Sequence, residues 1–141
     1  MNFKKLLMGG IAGGIAFFLL GWLIYGILLM DFMTGHPGTI GPTQKAETDY
    51  MYLIIGNLAM GFLFAYIFMK GNVNSLASGF VTGGIVGLLM GVGGNCVTYA
   101  TTNITSKMAM AADVGALTIM TAIGGAIIGM VMGMGNKNTS L

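Results

Sequence analysis

The residues of this sequence that could do chemistry are few, and they gather where apolar stretches begin or end. Asn95, Thr98 and Thr102 fall near the end of one apolar stretch, and Asp113 lies close to the start of the next. Asn57 lies inside another such stretch. Amide, hydroxyl and carboxylate groups are costly to place among apolar residues. These five residues are therefore the candidates for a polar path or a ligand site.

Each candidate also has a structural interpretation. An asparagine on an apolar helix can make a hydrogen bond to a neighbouring helix, worth roughly 0.6 to 2 kcal/mol. Asp113 could pair with Lys107, six residues before it, or it could hold a ligand. The sequence leaves both possibilities open for each residue.

Most other kinds of site are excluded by the residues present. No serine or cysteine nucleophile has a nearby histidine, and no carboxylate pair or phosphate-binding loop occurs, so we expect no enzymatic activity. One cysteine, Cys96, and one histidine, His36, cannot supply a metal site or a disulfide within the chain. The lysines are scattered and arginine is absent, which argues against nucleic-acid binding. We therefore expect no metal, cofactor or nucleic acid.

The elements that must position these residues are membrane-spanning helices. Apolar residues make up 55% of the chain and charged residues only 7%, against about 25% charged in a typical soluble domain. Four stretches, 6–30, 50–69, 76–99 and 111–134, approach or exceed the ~20 apolar residues that a spanning helix needs. The sequence predicts one all-α transmembrane domain, a four-helix bundle that occupies the whole chain.

Lysine placement predicts how the bundle is oriented in the membrane. Lys4, Lys5, Lys70 and Lys137 fall on one side of the bilayer, and Lys45 and Lys107 fall on the other. Because the side richer in lysine is cytoplasmic, both termini are expected in the cytoplasm. Trp22, Tyr25, Tyr50, Tyr52 and Tyr99 then lie near the outer boundary, where aromatic residues with a polar edge serve as anchors.

The connections between the stretches differ in length. Residues 70–75, KGNVNS, form a tight turn, which predicts that the second and third helices are antiparallel neighbours. The segments 31–49 and 100–110 are the external loops. Because loops carry function more often than helices do, an external partner or ligand is expected there.

Glycines recur at intervals of four in the third and fourth stretches. Residues four apart share one helix face, and a face without side chains lets another helix approach closely, as in GxxxG packing. The alternative is a substrate or ion path along exposed backbone. The glycines concerned are Gly79, Gly83, Gly87 and Gly91 in the third stretch and Gly125, Gly129 and Gly133 in the fourth.

Several of these patterns resemble a family of small bacterial and fungal membrane proteins known as the domain of unknown function "seventeen sixty-one". The resemblance lies in residues 20–26 (LGWLIYG), 57–66 (NLAMGFLFAY), 79–91 and 113–129. It implies a four-helix membrane fold and a bacterial plasma-membrane location, and it implies no activity because the family has none assigned. Residues 93–102 (GGNCVTYATT) also resemble small fluoride channels, although the arginine of their first helix is missing here.

Together these patterns predict a non-enzymatic membrane protein. The favoured role is a structural or accessory component of a membrane assembly, which associates through its glycine faces as a homo-oligomer or in a larger complex. One alternative is a small ion channel or transporter whose polar path lies near the outer ends of the third and fourth helices. Another alternative is a lipid-binding protein.

Overall fold

The computed structural model describes residues 2–35 and 49–139, and within these residues it contains helices and no β-strand. The predicted loop residues His36, Lys45 and Glu47 lie outside the described residues. The elements are α1 (Phe3–Leu23), a π-helical segment (Ile24–Leu28), α2 (Met30–Gly35), α3 (Tyr50–Lys70), α4 (Leu76–Thr101) and α5 (Lys107–Thr139).

Four of the described helices are long and apolar enough to cross a membrane. They are Phe3–Leu28, Tyr50–Lys70, Leu76–Thr101 and Lys107–Met134, with mean hydropathies between 1.7 and 2.1. Most of their large side chains face outward, where a bilayer would solvate them. The predicted all-α bundle with four transmembrane helices is therefore confirmed.

The first predicted helix contains a π-helical segment near its end. The Leu29 N–H donates to the Ile24 carbonyl at 2.8 Å, so one extra residue is inserted into the helical turn and the segment Ile24–Leu28 is π-helical. The chain bends at Leu29 and restarts as α2 at Met30. The spanning helix therefore runs from Phe3 to Leu28, close to the predicted bounds of 6–30.

The fourth predicted helix begins earlier than residue 111. Its first turn is closed by Ser106, whose hydroxyl accepts a hydrogen bond from the Ala109 N–H at 3.2 Å, as an N-cap does. Lys107 is therefore the first residue of α5 rather than part of a loop, and Asp113 lies in the second turn of the helix.

The helices pack in the order α3, α1, α5, α4. The contact between α4 and α5 is the most extensive, followed by α1 with α3 and then α1 with α5. The prediction that the second and third helices are packed neighbours is wrong, because α3 and α4 barely touch. The turn brings together only the joined ends of α3 and α4, where Asn72 takes a left-handed conformation (φ 56°). Which helix each of them packs against depends on the side chains along its faces.

Glycine brings the paired helices close together. A Cβ placed at Gly83 would lie 3.0 Å from the Cα of Gly125, and one at Gly13 would lie 3.0 Å from the Cα of Gly61. All seven glycines singled out in the sequence lie in the contact between α4 and α5 or beside the turn before α4. Gly79, Gly83, Gly87 and Gly91 lie against α5, Gly125 and Gly129 against α4 and its cap residue, and Gly133 against the Asn74 carbonyl.

A cluster of buried side chains joins α1, α3 and α5. The Phe17 and Phe64 rings meet edge to face with centroids 5.2 Å apart, and Phe68, Ile128 and Met132 complete the cluster towards the α3–α4 turn. We name this end of the bundle the turn end. At the opposite end, the open end, residues 50–56 at the start of α3 are all exposed. A space therefore remains between α3 and the rest of the bundle.

Candidate functional site: a polar network and an adjoining cleft

A polar network at the open end joins α4, α5 and the π-helical segment. The Tyr25 hydroxyl donates to Asp113 Oδ1 at 2.7 Å, and Asn95 Nδ2 donates to Asp113 Oδ2 at 2.6 Å. Asn95 Nδ2 also donates to the Gly91 carbonyl at 2.9 Å. Both carboxylate oxygens of Asp113 therefore accept a hydrogen bond from a neutral side chain.

Local backbone features bring these three side chains together. Tyr25 belongs to the π-helical segment, whose extra residue rotates the side chains that follow it relative to those of α1. Asn95 lies one turn beyond Gly91, where a Cβ would be only 3.4 Å from the Cα of Val114. This close approach of α4 to α5 lets the short asparagine side chain reach Asp113.

Lys107 is not the partner of Asp113. Among the described residues, the Asp113 carboxylate is held by Tyr25 and Asn95, and it forms no ion pair. The reason is that α5 already begins at Lys107. Six residues along a helix of 3.6 residues per turn place the two side chains about 120° apart around its axis.

A cleft opens beside the network, between α1 and the exposed start of α3. Its volume is about 520 Å³. Tyr25 belongs to both the cleft and the network, so the ring faces the cleft while the hydroxyl binds Asp113. The lining residues are Phe18, Gly21, Trp22, Tyr25, Gly26, Met30, Asp49, Tyr50, Leu53, Asn57 and Met120.

An apolar groove continues from the cleft towards the middle of the bundle. It has a volume of about 360 Å³ and runs between α1 and α3. Phe18 lines both spaces, so they adjoin at this ring. The remaining lining residues of the groove are Gly14, Ile15, Leu19, Ile54 and Leu58, and its surface is almost wholly apolar.

The five candidate residues from the sequence fall into three places. Asn95 and Asp113 are hydrogen-bonded to each other. Asn57 lines the cleft and donates to the Leu53 carbonyl of its own helix at 2.8 Å. Thr98 and Thr102 lie at the end of α4, where the Thr102 hydroxyl donates to the Thr98 carbonyl at 2.7 Å. Their role in a polar path stays a prediction.

Sequence reasoning gave Tyr25 an anchoring role and missed its bond to Asp113. The sequence does indicate the depth of each residue in the membrane. Antiparallel first and fourth helices would place Tyr25 and Asp113 at the same end of the bundle. The π-helical segment that turns Tyr25 towards α5 has no clear sequence mark. Trp22 and Tyr50, also interpreted as anchors, lie in the cleft lining.

Comparisons with known proteins add no relatives to this description. No family model, curated protein or solved structure matches the chain. Within the part of the chain that the structure describes, no three His, Cys, Asp or Glu side chains lie close enough together to hold a metal ion. The cleft and the network are therefore the features of this molecule that indicate a function.

Proposed function

We propose that this protein is a non-enzymatic, multi-pass plasma-membrane protein that binds a lipid at its open end, as an accessory component of a membrane assembly. The observation that carries the proposal is the junction of the cleft and the groove at Phe18. A molecule that fills both needs a polar part and an apolar part. A lipid has both, and its headgroup would occupy the cleft while an acyl chain occupies the groove.

The charges at the turn end support a placement of the cleft in the outer leaflet. Lys4 and Lys5 begin α1, and Lys70 ends α3 with its ammonium 5.8 Å from the centre of the Tyr66 ring. Since lysine-rich ends face the cytoplasm, both termini would be cytoplasmic and the open end would face outward. Trp22 and Tyr50 would then lie at the level of the headgroups, where such rings are enriched.

Assembly with other chains would use a face that the bundle leaves uncovered. The glycine faces of α4 and α5 already pack against each other within one chain, as in GxxxG association, so they are not free to join protomers. The outward side of α4 carries Phe80, Val81, Ile85 and Leu89, all of them exposed. This side is the surface on which we expect a second copy or another membrane protein to pack.

Filling the groove tests the lipid proposal. Ile15 lines the groove and is 55% exposed, so Ile15→Trp adds volume there without disturbing the buried cluster. Leu63→Trp is the matched control, because Leu63 is 41% exposed on α3 and lines neither the groove nor the cleft. Both variants and the wild type would be purified from native membrane in mild detergent, and lipid retention would be measured by native mass spectrometry.

The expected result is that one lipid per chain survives purification in the wild type and in Leu63→Trp, and is lost from Ile15→Trp. Equal retention in all three proteins, or no retained lipid in the wild type, would refute lipid binding in this groove. Circular dichroism of the three proteins would show that each remains folded.

A cation path is the second candidate function, and the surroundings of Asp113 favour it. A carboxylate within a spanning helix that has two neutral donors keeps its charge uncompensated among the described residues. A path past Asn57, Asn95, Thr98, Thr102 and Asp113 would carry cations, and Asp113→Asn would stop their flux into liposomes. Absence of flux for every common monovalent and divalent cation would count against this function.

A further inference from the structure

We infer that the headgroup bound in the cleft carries an ammonium group, as ethanolamine and choline headgroups do. The inference rests on the proposed lipid binding and adds the chemical class of the ligand. It comes from side chains in the cleft lining: one carboxylate, Asp49, and, beside Phe18, three aromatic rings with a polar edge, Trp22, Tyr25 and Tyr50.

Asp49 brings a carboxylate to the cleft lining, and only one of its oxygens accepts a hydrogen bond from the described residues. Its Oδ1 accepts from the Tyr52 N–H at 3.5 Å, a long hydrogen bond at the start of α3. The other carboxylate oxygen has no partner among the described residues. A carboxylate in this position favours a cation and disfavours an anion.

The aromatic rings are suited to the same charge. The faces of Trp and Tyr rings attract ammonium groups, including quaternary ones, through their π electrons. Trp22 and Tyr50 are 57% and 59% exposed, so their surfaces are accessible from the cleft.

Tyr25 strengthens this preference through its bond to Asp113. The Tyr25 hydroxyl donates its only hydrogen to a hydrogen bond with Asp113 Oδ1. The phenolic oxygen can therefore act only as an acceptor towards a ligand. An ethanolamine N–H can therefore be accepted here, and a choline headgroup, which has no N–H, can contact the Tyr25 ring instead. A phosphate oxygen meets no donor from Tyr25. The described lining residues include no lysine.

The single tryptophan of the sequence provides a direct measurement, because Trp22 lies in the cleft lining. The protein would be reconstituted in phosphatidylcholine bilayers that contain a fixed fraction of one lipid brominated near the headgroup end of its acyl chains. The brominated lipid would be phosphatidylethanolamine in one sample, phosphatidylcholine in a second and phosphatidylglycerol in a third. Bromine quenches tryptophan fluorescence on contact, so quenching reports which headgroup is selected.

We expect the two ammonium lipids to quench Trp22 more than phosphatidylglycerol does, with an apparent preference of about two- to fivefold, the factor that a cation–π contact at an exposed site represents. Asp49→Asn should reduce this preference, whereas Asp31→Asn, a change at a carboxylate outside the cleft lining, should not. Thermal stability in detergent would show that both variants stay folded.

Equal quenching by the three lipids, or stronger quenching by phosphatidylglycerol, would overturn the ammonium inference. Such a result would leave lipid binding itself intact if Ile15→Trp still abolished lipid retention. Loss of retention in the wild type would refute the proposed function instead, so the two failures are distinguishable.

Discussion

Adding a single methyl group to the contact between α4 and α5 should distinguish the effect of helix packing on stability from the effect of helix propensity. In Gly83→Ala, the new Cβ would meet the Thr121 carbonyl oxygen and lie 3.0 Å from the Cα of Gly125. Gly93 lies in the same helix, yet a Cβ there would meet nothing within 4 Å. Gly93→Ala is therefore the matched control.

The magnitude follows from two opposing effects. Alanine in place of glycine inside a helix stabilises it by roughly 0.5 to 1 kcal/mol, and both variants share this gain. Overpacking in Gly83→Ala costs about 1 to 3 kcal/mol. We expect the upper part of that range, because the atoms in the way belong to the backbone of α5 and cannot rotate aside. The stability difference between the two variants should thus be about 2 to 3 kcal/mol, in favour of Gly93→Ala.

Reversible unfolding of the purified protein by sodium dodecyl sulfate in mixed micelles, followed by circular dichroism, measures this difference. A gap of 1.4 kcal/mol corresponds to about a tenfold change in the unfolding equilibrium constant. If the two variants unfold at the same detergent fraction, the close contact between α4 and α5 is not the native one. The helices would then have to pair differently from the order α3, α1, α5, α4.

Other changes test the network and the core. Tyr25→Phe should lower the free energy of unfolding by about 0.6 to 2 kcal/mol through loss of a bond to Asp113, measured by the same detergent titration; no change would mean that the bond is absent. Asn95→Leu should also destabilise, and in a double-mutant cycle with Tyr25→Phe the effects should be non-additive because both bind one carboxylate. Asn57→Leu should leave stability nearly unchanged, since its amide bonds only within α3, and a loss as large as that of Asn95→Leu would contradict its placement in the cleft lining. Phe17→Ala should cost about 3 to 5 kcal/mol, because this ring is only 1% exposed; a smaller loss would show that the cluster is loosely packed.

Much of the architecture could be predicted from residue types alone. Long uncharged stretches predict spanning helices because a buried backbone must satisfy its own hydrogen bonds in lipid. Asn95 and Asp113 stand out as polar residues in apolar stretches, and the structure joins them. The third candidate of this kind, Asn57, could not be separated from them by sequence, because an amide that bonds its own helix and one that bonds a neighbour look alike.

Helix pairing was harder to predict. The short turn at 70–75 suggested that α3 and α4 would pack together, and they do not. Sequence proximity restricts only the ends of two helices. Which faces meet depends on the complementary shape of surfaces far apart in the chain, such as Gly83 against Gly125 or Gly13 against Gly61.

The sequence by itself determined that this protein has four apolar helices, where its few polar residues fall and which helix faces lack side chains. The residue composition and the spacing of glycines along the chain are sufficient to predict these features, because each feature is local to one helix. Only the tertiary structure decided that Tyr25 reaches Asp113 and that Trp22, Asp49 and Asn57 share a cleft. The physical reason is that one extra residue in the turn at Ile24–Leu28 and the exposed start of α3 set the geometry of the open end, where side chains far apart in the chain meet.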